Sequence, residues 1–263
     1  MNDSLTFFPA MSTFRSRLRA GELLIGAGVT LNDPLISEVL ADSVDFLWYD
    51  LEHMQIDPAS MNAHLMAARG RATPSIVRVR DVSAIEVKPA LDAGADGIVA
   101  PQVKSVEQIK EFVSNSRYPP VGRRGLFPRA STNFGRKGDA GHFEAANENI
   151  FVSVMIETKE AVDAIDEIVR LPGLDSIVLG LGDLSGSLGK LVDFENPELH
   201  EYVDRVLAAA GDVGMPVGVG SAFSIEFARS MVARGVTWVQ FGSDFEYMIH
   251  SIDDATASLR EKT

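Results

Sequence analysis

Cysteine is absent from this chain of 263 residues. Its absence removes disulfides, thiolate nucleophiles and cysteine-based zinc sites together. Positive charge is also scarce: 24 Lys and Arg stand against 37 Asp and Glu, for a formal net charge of −13. A surface this acidic repels phosphate backbones and anionic lipid, so nucleic acid and membranes are poor candidates as partners. No apolar run approaches the ~20 residues that span a bilayer. Residues 1–10 carry no cationic segment ahead of their short apolar patch, so no signal peptide is expected and a cytoplasmic enzyme is the default reading. Met11 is a second candidate start, which would make residues 1–10 a loose arm. Missing too is the glycine-rich phosphate turn of a nucleotide-binding sheet, because Gly26-Ala27-Gly28 is too short a match.

What remains is ordinary globular composition, 46% apolar and 23% charged, in a chain long enough for a substantial core. Eight runs rich in β-branched and aliphatic residues read as strands: 23–28, 46–52, 75–80, 97–102, 150–156, 176–180, 216–219 and 238–242. They do not alternate with polar residues, as expected of parallel strands buried on both faces. Helices are expected between them, two opened by Asp33-Pro34 and Asp57-Pro58, a capping acid followed by a proline suited to a first helical turn. Others fall over 83–92, 105–115, 159–170, 197–210 and 224–234. The pattern predicts an α/β chain, a (β/α)8 TIM barrel in a single domain over 1–263. An extra N-terminal helix over 12–20 would precede it, and a last helix would lie within 244–263. A doubly wound sheet is the rival and lacks a topological break. The long irregular stretch 118–149 is read as an active-site loop.

Chemistry in such barrels gathers at the carboxyl ends of the strands. Those ends present Asp50, Glu52 and His53, then Arg78 and Arg80, then Gln102, Glu157 and Asp183. A histidine, an arginine and two separated carboxylates from different strands suit a hard divalent ion with open positions, a carbonyl electrophile and a general base near neutral pH. Plainer roles stand beside these. Glu157 and Asp183 taken singly fit helix caps or salt-bridge partners, His53 a rim residue bonded to a carbonyl, and Arg78 and Arg80 structural ion pairs. Asp92 precedes Ala-Gly-Ala at a helix end, where an acid opposes the dipole and so calls for a specific partner. His64, His142, His200 and His250 read as packing or surface residues, and Met61 and Met66 as core.

Several ordered motifs then resemble one family. They are Asp-x-Glu-His at 50–53, Val-Arg at 77–78, Leu-Asp-x-Gly-Ala-x-Gly at 91–97, and Arg-Tyr-Pro-Pro-x-Gly-x-Arg-Gly at 117–125. Glu-Thr at 157–158 and Gly-x-x-Asp-Leu-Ser at 180–185 complete the set. The chain from about Gly21 to the last helix is similar to the HpcH/HpaI aldolases. These are metal-dependent class II pyruvate aldolases that act on substrates of the 4-hydroxy-2-oxoheptanedioate and 2-dehydro-3-deoxyglucarate type. The resemblance implies Glu157 and Asp183 as metal ligands for Mg²⁺, Mn²⁺ or Co²⁺. It implies Arg78 on the pyruvate carbonyl oxygen, and His53, paired with Asp50 and Asp92, as base through a metal-bound water. Backbone N–H groups near Gly182 and Asp183 would hold the substrate carboxylate. It also implies a homohexamer, a trimer of dimers, with the last helix exchanged between neighbours.

Two departures bear on specificity. Leu181 stands where the family often has proline, and segment 125–131 is shorter than in the aldolases. Arg124 and Arg129 are candidates to meet a carboxylated acceptor, with pairing to the acidic surface as the plainer alternative. The expected activity is reversible retro-aldol cleavage of a 4-hydroxy-2-oxo acid to pyruvate, or an analogue such as hydroxypyruvate, and an aldehyde. Rival readings are a citrate-synthase-like or oxaloacetate-decarboxylating relative, and a non-catalytic barrel that senses an oxo acid. Glu52 receives no role beyond a structural hydrogen bond.

Overall fold

The computed structural model describes residues 9–126, 129–136 and 138–261. Its eight strands are β1 (Leu24–Val29), β2 (Phe46–Asp50), β3 (Ser75–Arg78), β4 (Gly97–Ala100), β5 (Phe151–Ile156), β6 (Ser176–Leu179), β7 (Val217–Ser221) and β8 (Trp238–Ser243). They close in sequence order into an all-parallel barrel. Helix α1 (Pro9–Arg19) precedes it; α2 (Leu35–Ala41), α3 (Pro58–Gly70), α4 (Ala84–Ala93) and α5 (Val106–Ser116) follow β1 to β4. Helix α6 (Ala140–Asn149) leads into β5. The later helices are α7 (Lys159–Asp163), α8 (Ile165–Ile168), α9 (Leu181–Ser187), α10 (Pro197–Val213), α11 (Ile225–Ala233) and α12 (Asp244–Arg260). None of the described helices is long and apolar enough to cross a membrane.

Period-two alternation sorts the strand residues into two cores. Leu47, Tyr49, Val77, Ile98, Val152, Val154 and Ile177 point outward into the layer shared with the helices. Phe46, Trp48, Ile76, Val99, Phe151, Met155, Val178 and Trp238 fill the barrel itself. Helix α1 plugs its base with Met11, Phe14 and Leu18, where Phe14 meets the rings of Phe46 and Phe151 edge-on at 5.5 Å. The basic helix expected at 12–20 is thus a stopper as well. Room for the aromatics comes from glycine, since a Cβ on Gly218 would lie 2.2 Å from the Trp238 indole.

Several expectations are corrected. The stretch 118–149 is not irregular throughout, for Asp139 accepts the His142 N–H and caps α6. The helix expected over 159–170 is broken into α7 and α8 at Ala164, whose backbone departs from helical values. The second and third strands stop at Asp50 and Arg78, short of Glu52 and Arg80. Met61 is buried, but Met66 is 59% exposed on the far side of α3. In segment 125–131, Phe127 and Pro128 lie outside the described residues.

The barrel base yields a pH prediction. Asp96 accepts the Ser75 N–H at 3.0 Å between β3 and β4. Burial pushes its carboxyl up from 3.8 to about 7, against the opposing pull of that hydrogen bond and of Arg69. The native state therefore keeps a proton that the unfolded chain releases. This contribution to stability is complete below about pH 4 and is lost as pH rises towards 7, at up to about 1.4 kcal/mol per pH unit. Asp96→Asn should flatten that slope in urea titrations between pH 4 and 7; an unchanged slope would assign it to another group.

Candidate active site

The same alternation that buries Trp48 and Ile76 inside the barrel turns Asp50 and Arg78 into its mouth. Strand register sets them side by side. Asp50 Oδ1 accepts from Arg78 Nε at 3.0 Å and Oδ2 from Nη2 at 2.6 Å, a two-pronged contact that fixes the guanidinium plane. The remaining prong, Nη1, lies 3.0 Å from Glu52 Oε2 and 3.5 Å from Met155 Sδ. Asp50 Oδ1 also accepts the backbone N–H groups of Glu52 and His53, at 3.0 and 3.2 Å. One carboxylate thereby folds the strand end into a turn and aims the arginine. The His53 ring stands out at the rim, 58% exposed, with Nε2 3.7 Å from Glu52 Oε2.

Across the mouth, Glu157 is 1% exposed at the end of β5. Its Oε1 accepts the Gln102 N–H at 2.6 Å. Gln102 adopts φ 51°, a left-handed backbone uncommon outside glycine, and this turn points its N–H into the barrel. The other oxygen, Oε2, is buried with no hydrogen-bond partner. Gly180 closes over it, where a Cβ would stand 2.4 Å away. Burial, together with the nearby charges of Glu52 and Asp183, raises the Glu157 carboxyl to about 7 despite the Gln102 N–H and Arg78. Glu52 is also raised, chiefly by burial, with Arg78 and His53 opposing. Asp183 sits in the first turn of α9, exposed to solvent.

Four carboxyls, those of Asp50, Glu52, Glu157 and Asp183, and one arginine leave this mouth short of positive charge. A buried carboxylate oxygen without a partner, under the influence of further acids, is what a bound cation would satisfy. Among the described residues no group of three or more His, Asp or Glu is arranged to hold a metal. The pair Glu157 and Asp183 suits an ion of the Mg²⁺ type, which keeps several positions for water and substrate.

Other expected residues fall elsewhere. Asp50 is the partner of Arg78 and of two backbone N–H groups, whereas the ring of His53 faces Glu52. Asp92 pairs with Arg124 at 2.8 Å, not with His53. Arg124 is buried, stacked 4.5 Å over Tyr118, so it anchors the 118–125 segment and does not stand free for an acceptor carboxylate. Arg129 is exposed and absent from the lining of the mouth cavity. Glu52 is an ion-pair partner of Arg78. Gly182 has open space around it. His64 is fully buried, with Nδ1 2.8 Å from Ser37 Oγ, so it is a packing residue.

Sequence reasoning stopped at the sixth strand and missed the far wall. A cavity of about 310 Å³ opens beside Asp50 and Arg78 and runs to Ser221, Gln240, Ser243 and Glu246, with Trp48 and Phe245 as apolar faces. Applying the strand-end rule to β7 and β8 would have found Ser221 and Ser243. A cavity of about 350 Å³ beside α1 lies at the opposite end of the barrel, away from these groups.

The chain is similar to known proteins over most of its length. Residues 29–251 match the family model described as HpcH/HpaI aldolase/citrate lyase. The 5-keto-4-deoxy-D-glucarate aldolase of Shigella boydii serotype 18 is 33% identical over 244 residues, covering 92% of this chain and 93% of the relative. An HpcH/HpaI aldolase/citrate lyase family protein from Burkholderia cenocepacia J2315 superposes with a TM-score of 0.88 at 30% identity, over 94% of this chain and 99% of that one. The citrate synthase SbnG superposes with a TM-score of 0.82 at 32% identity, over 94% and 97%.

Proposed function

The chain belongs to the HpcH/HpaI aldolase/citrate lyase family, and from that premise we propose how its residues divide the work. It is a class II aldolase, a carbon–carbon lyase that reversibly cleaves a 4-hydroxy-2-oxo acid to pyruvate and an aldehyde and uses a divalent metal ion. When bound, the ion supplies an electrophile that draws charge from the oxo acid as the enolate develops. Glu157 and Asp183 would hold it, with Mg²⁺, Mn²⁺ and Co²⁺ as candidates. The buried, unpartnered Glu157 Oε2, close enough to Glu52 and Asp183 to feel their charges, is the observation that carries this reading.

Arg78 donates to the carbonyl oxygen at C2 and stabilises the charge that arrives there, and Asp50 holds its plane. In α9 the first N–H groups, Gly182 and Asp183 among them, have no acceptor within the helix and are free to bind the substrate carboxylate. His53 takes the proton from the 4-hydroxyl. The C4–O bond becomes the aldehyde carbonyl, the C3–C4 pair passes into the C2–C3 enolate, and protonation at C3 gives the pyruvate methyl. Condensation runs the same steps backward. Arg78→Lys keeps the charge but loses the planar fork. It should lower kcat/KM about 10²- to 10³-fold, measured in the retro-aldol direction.

Exchange of deuterium into the pyruvate methyl, with each metal and with chelator, tests the proposal. Exchange that needs metal is the expected result. Pyruvate binding in titration calorimetry without any exchange would favour the oxo-acid sensor. Similarity to the citrate synthase SbnG favours one second reading, condensation or decarboxylation chemistry on oxaloacetate. Turnover of oxaloacetate that survives chelator would select it.

We place the enzyme in the cytoplasm as a homohexamer with α12 packed on a neighbour. In support, α12 exposes Met248, Ile249 and Ile252, by 49%, 51% and 62%. Sedimentation velocity should show a single hexameric species; a monomer at micromolar concentration would reject the assembly.

A further inference from the structure

The cavity at the barrel mouth has a charge pattern that the aldol chemistry alone does not explain. Arg78 is the only cation among the described residues that line it, and Asp50 and Glu52 already engage that guanidinium. On the far wall Glu246 projects from the first turn of α12. Its Oε2 accepts from Ser243 Oγ at 2.7 Å and its Oε1 from the Phe223 N–H at 3.3 Å. Both donors are neutral, so they fix the carboxylate in place without cancelling its charge. Ser221, Gln240 and Ser243 add neutral polar groups between Glu246 and Arg78, and Trp48 and Phe245 add apolar surface. A volume of about 310 Å³ suits a small molecule. Arg124, the cation nearest in sequence to a role with an anionic acceptor, is buried in its pair with Asp92.

We propose that this cavity is the acceptor subsite and that Glu246 makes it selective for neutral, hydroxylated aldehydes over carboxylated ones. The inference rests on the aldolase reading above and names the substrate class of that site. With the oxo acid seated at Arg78, the aldehyde carbonyl carbon meets C3 and its remaining carbons extend along the cavity toward Ser221, Ser243 and Glu246. Hydroxyl groups there can exchange hydrogen bonds with the serine hydroxyls and the Gln240 amide. A second carboxylate would instead be desolvated beside the Glu246 carboxylate with no unengaged cation among the described lining residues to receive it, an arrangement that costs affinity. Specificity of this kind works by repelling the wrong ligand as much as by holding the right one.

The test is condensation of pyruvate with matched aldehydes by the intact metal-loaded enzyme. Glycolaldehyde is paired with glyoxylate, and D-glyceraldehyde with succinic semialdehyde. Wild type should favour the neutral partner by about tenfold or more in kcat/KM. Glu246→Gln should lower that ratio by about tenfold, mainly through a lower KM for the anionic aldehyde. Should Glu246→Gln fail to fold, the salt dependence of the wild-type ratio decides, because screening should narrow a preference that arises from charge. A wild-type preference for the carboxylated aldehyde, a ratio unmoved by Glu246→Gln, or a ratio unmoved by salt overturns the proposal. If wild type condenses with no aldehyde and exchanges no deuterium into pyruvate, the aldolase reading itself falls. Exchange with a reversed preference removes the Glu246 assignment alone.

Discussion

Glu157→Gln should give a folded barrel whose turnover no longer responds to metal and equals that of chelated wild type. The substitution is nearly isosteric. Its amide oxygen can still accept the Gln102 N–H that Glu157 Oε1 accepts at 2.6 Å, so the turn at Gln102 has no reason to collapse. What changes is Oε2, the buried oxygen without a hydrogen-bond partner. An NH₂ group there offers donors where a cation needs an anionic oxygen, and the site loses one of its two proposed ligand charges. Two readouts separate loss of the ion from loss of fold. Mn²⁺ binding followed by electron paramagnetic resonance should weaken by at least about tenfold, the scale of a damaged coordination shell, while the thermal midpoint of the metal-free protein stays near wild type. Full metal-dependent activity in this variant would sink the metal assignment. Gly180→Ala should mimic part of the effect, since its Cβ would crowd the same oxygen at 2.4 Å.

His53→Gln should cost roughly 10²- to 10⁴-fold in kcat, the contribution of a positioned general base. The ring is 58% exposed and no buried contact depends on it, so stability should change little. The loss should be largest in cleavage, where the 4-hydroxyl proton must leave, and smaller in deuterium exchange at the pyruvate methyl, which involves no such hydroxyl. Equal losses in both assays would make His53 a binding residue instead of the base. Glu52, 3.7 Å from Nε2, is the group placed to stabilise the imidazolium that forms. Glu52→Gln should therefore lower kcat in the cleavage direction, where that imidazolium forms.

Barrel and strand ends were legible because both depend on local pattern. Eight unbroken apolar runs predict parallel strands, and an ionisable group at a buried strand's end has only the rim to occupy, as Asp50, Glu157 and Arg78 do. Other assignments failed for reasons that sequence spacing does not carry. The family resemblance implied that Asp50 pairs with His53. The interstrand register instead brings Asp50 beside Arg78, 28 residues away, and the pair closes at 2.6 Å. Asp92 and Arg124 are 32 residues apart on elements whose meeting no motif announces. Met66 shares the period of an apolar helix face, yet α3 turns it to solvent.

By itself, then, the sequence determined the architecture, the rim where the ionisable strand ends gather, and the family to which the chain belongs. Each of these is encoded in short stretches: apolar runs, caps and strand-end motifs. Only the tertiary structure decided which charges neutralise which. It set Arg124 into a buried pair with Asp92, left one oxygen of Glu157 without a partner, and brought Glu246 from α12 to the cavity that begins at Arg78. Such pairings depend on register and closure, which bring together residues far apart in the chain, and ionic interactions act through distance in space whatever the separation in sequence.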